Sequence, residues 1–120
     1  MTPLGQLDHL RTLEDGWLDG EGKAPSDEGL DWLTHAFADH YPQDLASPYL
    51  YPTPDGGVQA EWSLSRFEVT LDVDFRSRVG YWHQRNMQTD DEDAREIRLD
   101  DPDSWREIVK RVRDLGGVAT

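Results

Sequence analysis

From Phe67 to Phe75 every second side chain is apolar: Phe67, Val69, Leu71, Val73 and Phe75 alternate with Glu68, Thr70, Asp72 and Asp74. Successive side chains of a strand point to opposite sides, so this pattern fits a strand with one dry and one wet face. Val58, Ala60, Trp62 and Leu64 alternate in the same way with Gln59, Glu61 and Ser63 just upstream, and only Ser65-Arg66 separates the two runs. A sheet wet on one side is antiparallel, and its apolar side needs a cover.

The remaining segments supply that cover. Leu4, Leu7, Leu10 and Leu13 predict a first helix over residues 3–15, stopped at Gly16. A glycine-rich loop follows over residues 16–25. Ser26, with Asp27 and Glu28 behind it, starts a second helix that runs to Tyr41 and ends at Pro42. Its core side carries Leu30, Leu33, Phe37 and Tyr41. Its polar stripe carries Asp31, His35 and Asp39, with Trp32 beside it.

A fourth strand is expected from Val79 to Asn86 and a short one over residues 96–99, after an acidic loop over residues 87–93. Pro52 and Pro54 cannot donate to a ladder, which makes residues 49–53 a sheet edge. Asp55-Gly56 supplies the next hairpin turn. Asp101 and Pro102 begin a last helix, Trp105, Ile108, Val109, Val112 and Leu115 line one side of it, and Gly116-Gly117 ends it. The expected fold is α+β: two N-terminal helices, an antiparallel meander of three to five strands and a C-terminal helix, with the helices packed on one sheet face. At 120 residues, 1–120 form a single domain.

Charge narrows the function. There are 25 acidic and 12 basic residues, for a net charge of −13. Residues 1–60 contain only Arg11 and Lys23 as bases. Such a chain is repelled by phosphate backbones, which argues against direct nucleic-acid binding, and it favours a basic protein partner. Acidity for solubility alone is the plain alternative. Arg106, Lys110, Arg111 and Arg113 give the last helix a basic side, offset by Asp101, Asp103, Glu107 and Asp114. There are no cysteines, which excludes disulfides and thiol chemistry. With no apolar run long enough for a membrane span and no leader-like start, the expected location is the cytoplasm, with no membrane partner.

No motif for catalysis, phosphate binding or a dinucleotide occurs, and no catalytic residue, cofactor or metal is assigned. Asp31, His35 and Asp39 share a helix stripe without a closed ligand shell. Asp15, Asp19, Gly20 and Glu21 resemble a calcium loop, but Trp17 and Ser26 stand where ligands belong. On the wet sheet face, the side of the fourth strand matters. Either Val79 and Tyr81 face the core and Trp82 joins Glu61, Glu68, Asp72 and Asp74 outside, or Trp82 faces the core and His83 joins them. The second arrangement is the one that could support acid–base chemistry.

Gly16-Trp17, Asp19-Gly20, Gly22 and Pro25, followed by Pro52-Thr53-Pro54-Asp55-Gly56-Gly57-Val58 and Glu61-Trp62, resemble a group of short uncharacterised bacterial proteins. These share a Trp-Asp-Gly-x-Gly loop and a Pro-Thr-Pro-Asp-Gly-Gly-Val…Glu-Trp hairpin. The resemblance spans roughly residues 15–75, although here Leu18 separates Trp17 from Asp19. It implies a bacterial or phage origin and carries over no catalytic role.

Taken together, these features suggest a non-enzymatic binding protein, an inhibitor, antitoxin or immunity-type protein that meets a basic partner. The expected contact residues are Asp15, Trp17, Asp19, Glu21, Asp31, Trp32, His35, Asp39, Glu61, Asp72 and Trp82, since tryptophan is enriched among interface anchors. The alternatives are a nucleic-acid mimic that inhibits a DNA- or RNA-binding machine, and a small enzyme or ligand binder using Glu61, Asp72 and His83. The edge at residues 49–53 also offers pairing with a second copy.

Overall fold

The computed structural model describes residues 2–117. Three helices, α1 (Pro3–Leu10), α2 (Asp27–His40) and α3 (Pro102–Asp114), cover one face of a five-stranded antiparallel sheet. The strands β1 (Tyr49–Pro52), β2 (Val58–Leu64), β3 (Phe67–Asp74), β4 (Val79–Asn86) and β5 (Glu92–Arg98) lie side by side in chain order. The expected α+β meander is therefore the fold, with all five strands present. No helix among the described residues is long and apolar enough to cross a membrane.

The core lies between sheet and helices. Leu50, Val58, Ala60, Trp62, Leu64, Val69, Leu71, Val73 and Trp82 face Leu7, Leu10, Leu30, Leu33, Phe37, Trp105, Ile108 and Val112. Trp62 and Trp82 pack at 5.8 Å between ring centroids, and Phe37 meets Trp105 edge-on at 5.3 Å. Gly29 lets α2 reach the sheet, because a Cβ there would fall 2.2 Å from the Phe75 ring. The helix starts use the caps foreseen: Ser26 accepts from Gly29 N–H at 3.0 Å, and Asp101 from Asp103 N–H at 2.9 Å.

Two boundaries differ from expectation. α1 ends at Leu10, because Thr12 turns back on His9, its N–H at 3.1 Å and its hydroxyl at 2.7 Å from the His9 carbonyl. β5 begins at Glu92, inside the stretch expected to be a loop. Its covered side carries no apolar signal there. Asp93 and Arg95 point toward α3 instead, where Arg111 lies 3.4 Å from Asp93 and Glu107 lies 2.5 Å from Arg95.

Both edges of the sheet can be read donor by donor. N–H groups alternate sides along a strand, and Thr53 N–H bonds Gly57 O across the hairpin, so positions 48, 50 and 52 face outward from β1. Two of these are prolines, and the third, Leu50 N–H, donates to Gln6 Oε1 at 2.8 Å. Gln6 Nε2 also donates to Pro48 O at 2.8 Å. Among the described residues, the edge at residues 49–53, where pairing with a second copy was expected, thus offers no free backbone donor.

Candidate functional site on the open face of the sheet

The second sheet face is covered by no described element. Across it, Tyr51, Gln59, Asp72, Tyr81 and Glu96 form one row, and Tyr49, Glu61, Thr70, His83 and Ala94 the next. Ser63, Glu68, Arg85 and Glu92 form a third. Tyr49 is 69% exposed, Tyr51 46% and Tyr81 48%. Large aromatic rings held on rigid strands in water are costly to leave unused, and tyrosine is enriched in binding surfaces.

Carboxylates surround these rings. Both arginines of the face are drawn aside, Arg85 by Asp90 at 2.6 Å and Arg98 by Asp100 at 3.7 Å. The Asp90 carboxylate, through hydrogen bonding, holds the Arg85 guanidinium even more firmly protonated. Asp72 accepts from Gln59 Nε2 at 2.7 Å, and Glu68 from Ser63 Oγ at 3.1 Å, so both carboxylates are oriented while their charge stays unneutralised. The result is a flat, acidic and aromatic surface.

β4 settles which side each residue takes. Trp82 is in the core, 1% exposed, with its indole N–H donating to Gln84 Oε1 at 3.0 Å and the Arg111 guanidinium over its ring. It cannot meet a partner, which corrects its inclusion among the contact residues. Tyr81 and His83 face outward instead. His83 does join the acids, but its Nε2 meets Glu92 Oε1 at 3.1 Å, with both side chains well exposed. A hydrated pair of this kind lacks the excluded surroundings in which acid–base chemistry is tuned.

The other expected contact residues separate into three places. Glu61 and Asp72 belong to the open face. Asp15, Trp17, Asp19 and Glu21 belong to the glycine-rich loop, and two of them hold it together. Asp15 Oδ1 accepts from Ala24 N–H at 2.9 Å, and Trp17 Nε1 donates to Lys23 O at 3.0 Å. Asp19 and Glu21 stay exposed, Asp19 at a positive φ of 50°.

The loop docks on the next hairpin, Lys23 N–H donating to Pro54 O at 2.8 Å. Thr53 hydroxyl braces that hairpin by donating to Asp55, which holds the Asp55 carboxyl below the usual carboxylate range. A cleft of about 360 Å³ lies between them, lined by Lys23 and Arg76 but also by Asp55 and Asp74, so its charges oppose one another.

The third place is α2. Asp31 is held by Arg11 at 2.6 Å, and His35 Nδ1 lies 2.8 Å from the Asp31 carbonyl rather than aimed at a shared ligand. Trp32 packs edge-on against Phe75 at 6.2 Å, under the Arg78 guanidinium. With His35 and Asp39 it borders a hollow of about 200 Å³. Among the described residues, no three His, Asp or Glu side chains converge as metal ligands. The cations of α3 are all taken: Arg106 by Asp103, Lys110 by Asp114 at 2.6 Å, Arg111 by Glu107 at 3.3 Å and Arg113 by Asp44 at 2.8 Å.

Sequence reasoning missed Tyr49, Tyr51, Tyr81 and Glu96. The signal for the first two was absent, since Tyr49-Leu50-Tyr51-Pro52 has no polar residue to mark a wet side and only the register with β2 assigns one. For Tyr81 the signal was the neighbouring Trp82, the larger apolar residue, which takes the core side. No family model, curated protein or solved structure matches this chain.

Proposed function

We propose that the protein is a small acidic binding protein, of the inhibitor, antitoxin or immunity type, that holds a basic protein partner on the open face of its sheet. One observation carries this reading: Tyr49, Tyr51 and Tyr81 stand exposed on rigid strands among Glu61, Asp72 and Glu96. The rings supply apolar contact area with little conformational freedom to lose, and the carboxylates supply steering and orientation. A cysteine-free chain suits a reducing cytoplasm, and the loop and hairpin motifs suit a bacterial or phage source.

Paired captures from lysate test the reading. Wild type is compared with a Tyr51→Ser, Asp72→Lys, Tyr81→Ser variant of the open face and with an Asp31→Asn, Asp39→Asn variant of α2. A protein retained by wild type and the α2 variant, but lost by the open-face variant, is expected, and its recombinant form should bind more weakly as salt rises. Equal capture by all three would sink the proposal, as would affinity that ignores salt.

A further inference from the structure

The two edges of the sheet are not alike. β1 is closed by prolines and Gln6, whereas β5 has neither. In the β4–β5 hairpin, Asn86 N–H bonds Asp91 O at 2.8 Å and Leu99 N–H bonds Arg78 O at 2.8 Å. That parity turns residues 93, 95 and 97 toward β4, and leaves the N–H groups of Glu92, Ala94, Glu96 and Arg98 pointing away from the sheet. No described group accepts from them. A bare strand edge of this length is a template for another strand.

The charge order along this edge selects what fits. When β5 runs antiparallel to a second β5 with a two-fold axis at Arg95, Glu92 faces Arg98 of the other copy and Arg98 faces its Glu92. Ala94 and Glu96 face each other in the same way. Every outward N–H then stands opposite an outward carbonyl. Sliding by two residues in one direction sets Glu92 against Glu96, and in the other sets Glu96 against Glu96, so among the open-face side chains like charges oppose both slips. We propose that β5 is a homodimerisation edge, in which two copies join through Glu92–Arg98 pairs into one continuous ten-stranded sheet.

Side chains opposite one another in a sheet share a side, so both open faces lie on one side of the dimer and both helical layers on the other. On the helical side Arg95 meets its own copy at the axis, with each guanidinium already held by its own Glu107 at 2.5 Å. The net charge of −13 on each chain opposes association. Dimerisation therefore belongs at an ionic strength that screens long-range repulsion, where the Debye length is about 8 Å.

Charge swaps on the full-length chain test the pairing by light scattering over a concentration series. E92R sets two cations against each other in both cross-strand pairs of its homodimer, and R98E sets two anions against each other. Either change should raise the dimer dissociation constant by roughly tenfold or more. Mixed together, the E92R chain carries cations at both positions and the R98E chain anions at both, so each cross-strand pair of the heterodimer joins opposite charges and the mixture should dimerise far more tightly than either variant alone. The double swap E92R/R98E restores an opposite-charge pair at both positions and should dimerise at wild-type concentrations. Ala94→Pro removes an outward N–H that bonds nothing within the chain, so it should remain folded by circular dichroism and stay monomeric. Wild type that is monomeric throughout overturns the proposal and leaves the edge to other extended segments. It is equally overturned if the single swaps dimerise like wild type, or if the double swap gains nothing over either of them.

Discussion

Tyr81 and Trp82 are neighbours in β4 with opposite fates: one ring stands in water on the open face, the other is sealed between sheet and helices. The covered face is dry and interlocked, and the indole N–H groups of Trp62, Trp82 and Trp105 all have partners there. On the open face, oriented carboxylates and half-exposed tyrosines do little to hold the fold together. Stability thus rests on the covered side of the sheet, the open side is the one proposed above for recognition, and substitutions on each side should reveal the division.

The sharpest contrast lies between those two neighbours. Trp82→Ala empties a site packed against Trp62 and Arg111 and should cost about 3–5 kcal/mol. Tyr81→Ala removes a ring that water already reaches and should cost under about 1 kcal/mol. Urea unfolding of both variants measures the difference, and similar midpoints would erase the distinction between the faces.

Next in size is a pH effect confined to the covered side. Tyr41 donates its hydroxyl to Ala46 O and accepts from Trp62 Nε1 at 3.0 Å. Burial pushes its pKa up from 10.0 to about 12, with the Trp62 hydrogen bond and Arg113 opposing. Because the folded value is the higher, the neutral phenol's contribution is complete below pH 10. It is lost as the pH rises through about 12. The stability lost over that window is about 2 kcal/mol. Tyr41→Phe should flatten this alkaline fall, and an equally steep fall in the variant would assign it to other groups.

How much of this was legible in the chain follows the same divide. Strict alternation in β2 and β3, the Ser26 and Asp101 caps and the arc from Trp105 to Leu115 all report burial against an apolar layer, and hydrophobic periodicity reads that directly. β5 was read short because Asp93 and Arg95 meet α3 through charge rather than apolar contact, leaving no periodicity to detect. The site was less legible for a related reason. An exposed tyrosine on a strand carries no pattern until the register is known, and nothing in the sequence shows that Trp17 bonds within its own loop or that Trp32 packs on Phe75. Glu61 and Asp72 could be placed because their strands alternate cleanly.

A smaller effect tests how the open face is held. β1 presents Tyr49 and Tyr51, yet it is short and bonds to the sheet on one side only. Gln6 of α1 closes its other side through Leu50 N–H and Pro48 O. Gln6→Ala should cost about 1–2 kcal/mol by leaving both groups without that partner. It should also speed amide exchange at Leu50 more than at Val69 in the middle of the sheet. Uniform acceleration would mean that β1 opens only with the whole domain.

The smallest effect should have the opposite sign. Glu61 has no cation within ion-pair distance among the described residues, and Asp72 lies one row away on the neighbouring strand. Nearby like charges on one sheet face repel. Glu61→Gln should therefore leave stability unchanged or raise it by up to about 0.5 kcal/mol at low salt, and the gain should fade as salt screens the charges. A carboxylate that stability would trade away is kept for another reason, and on this face the reason offered is a cationic partner. If Glu61→Gln instead destabilises the fold at every salt concentration, the acid is structural and the division between the two faces is less complete than the burial suggests.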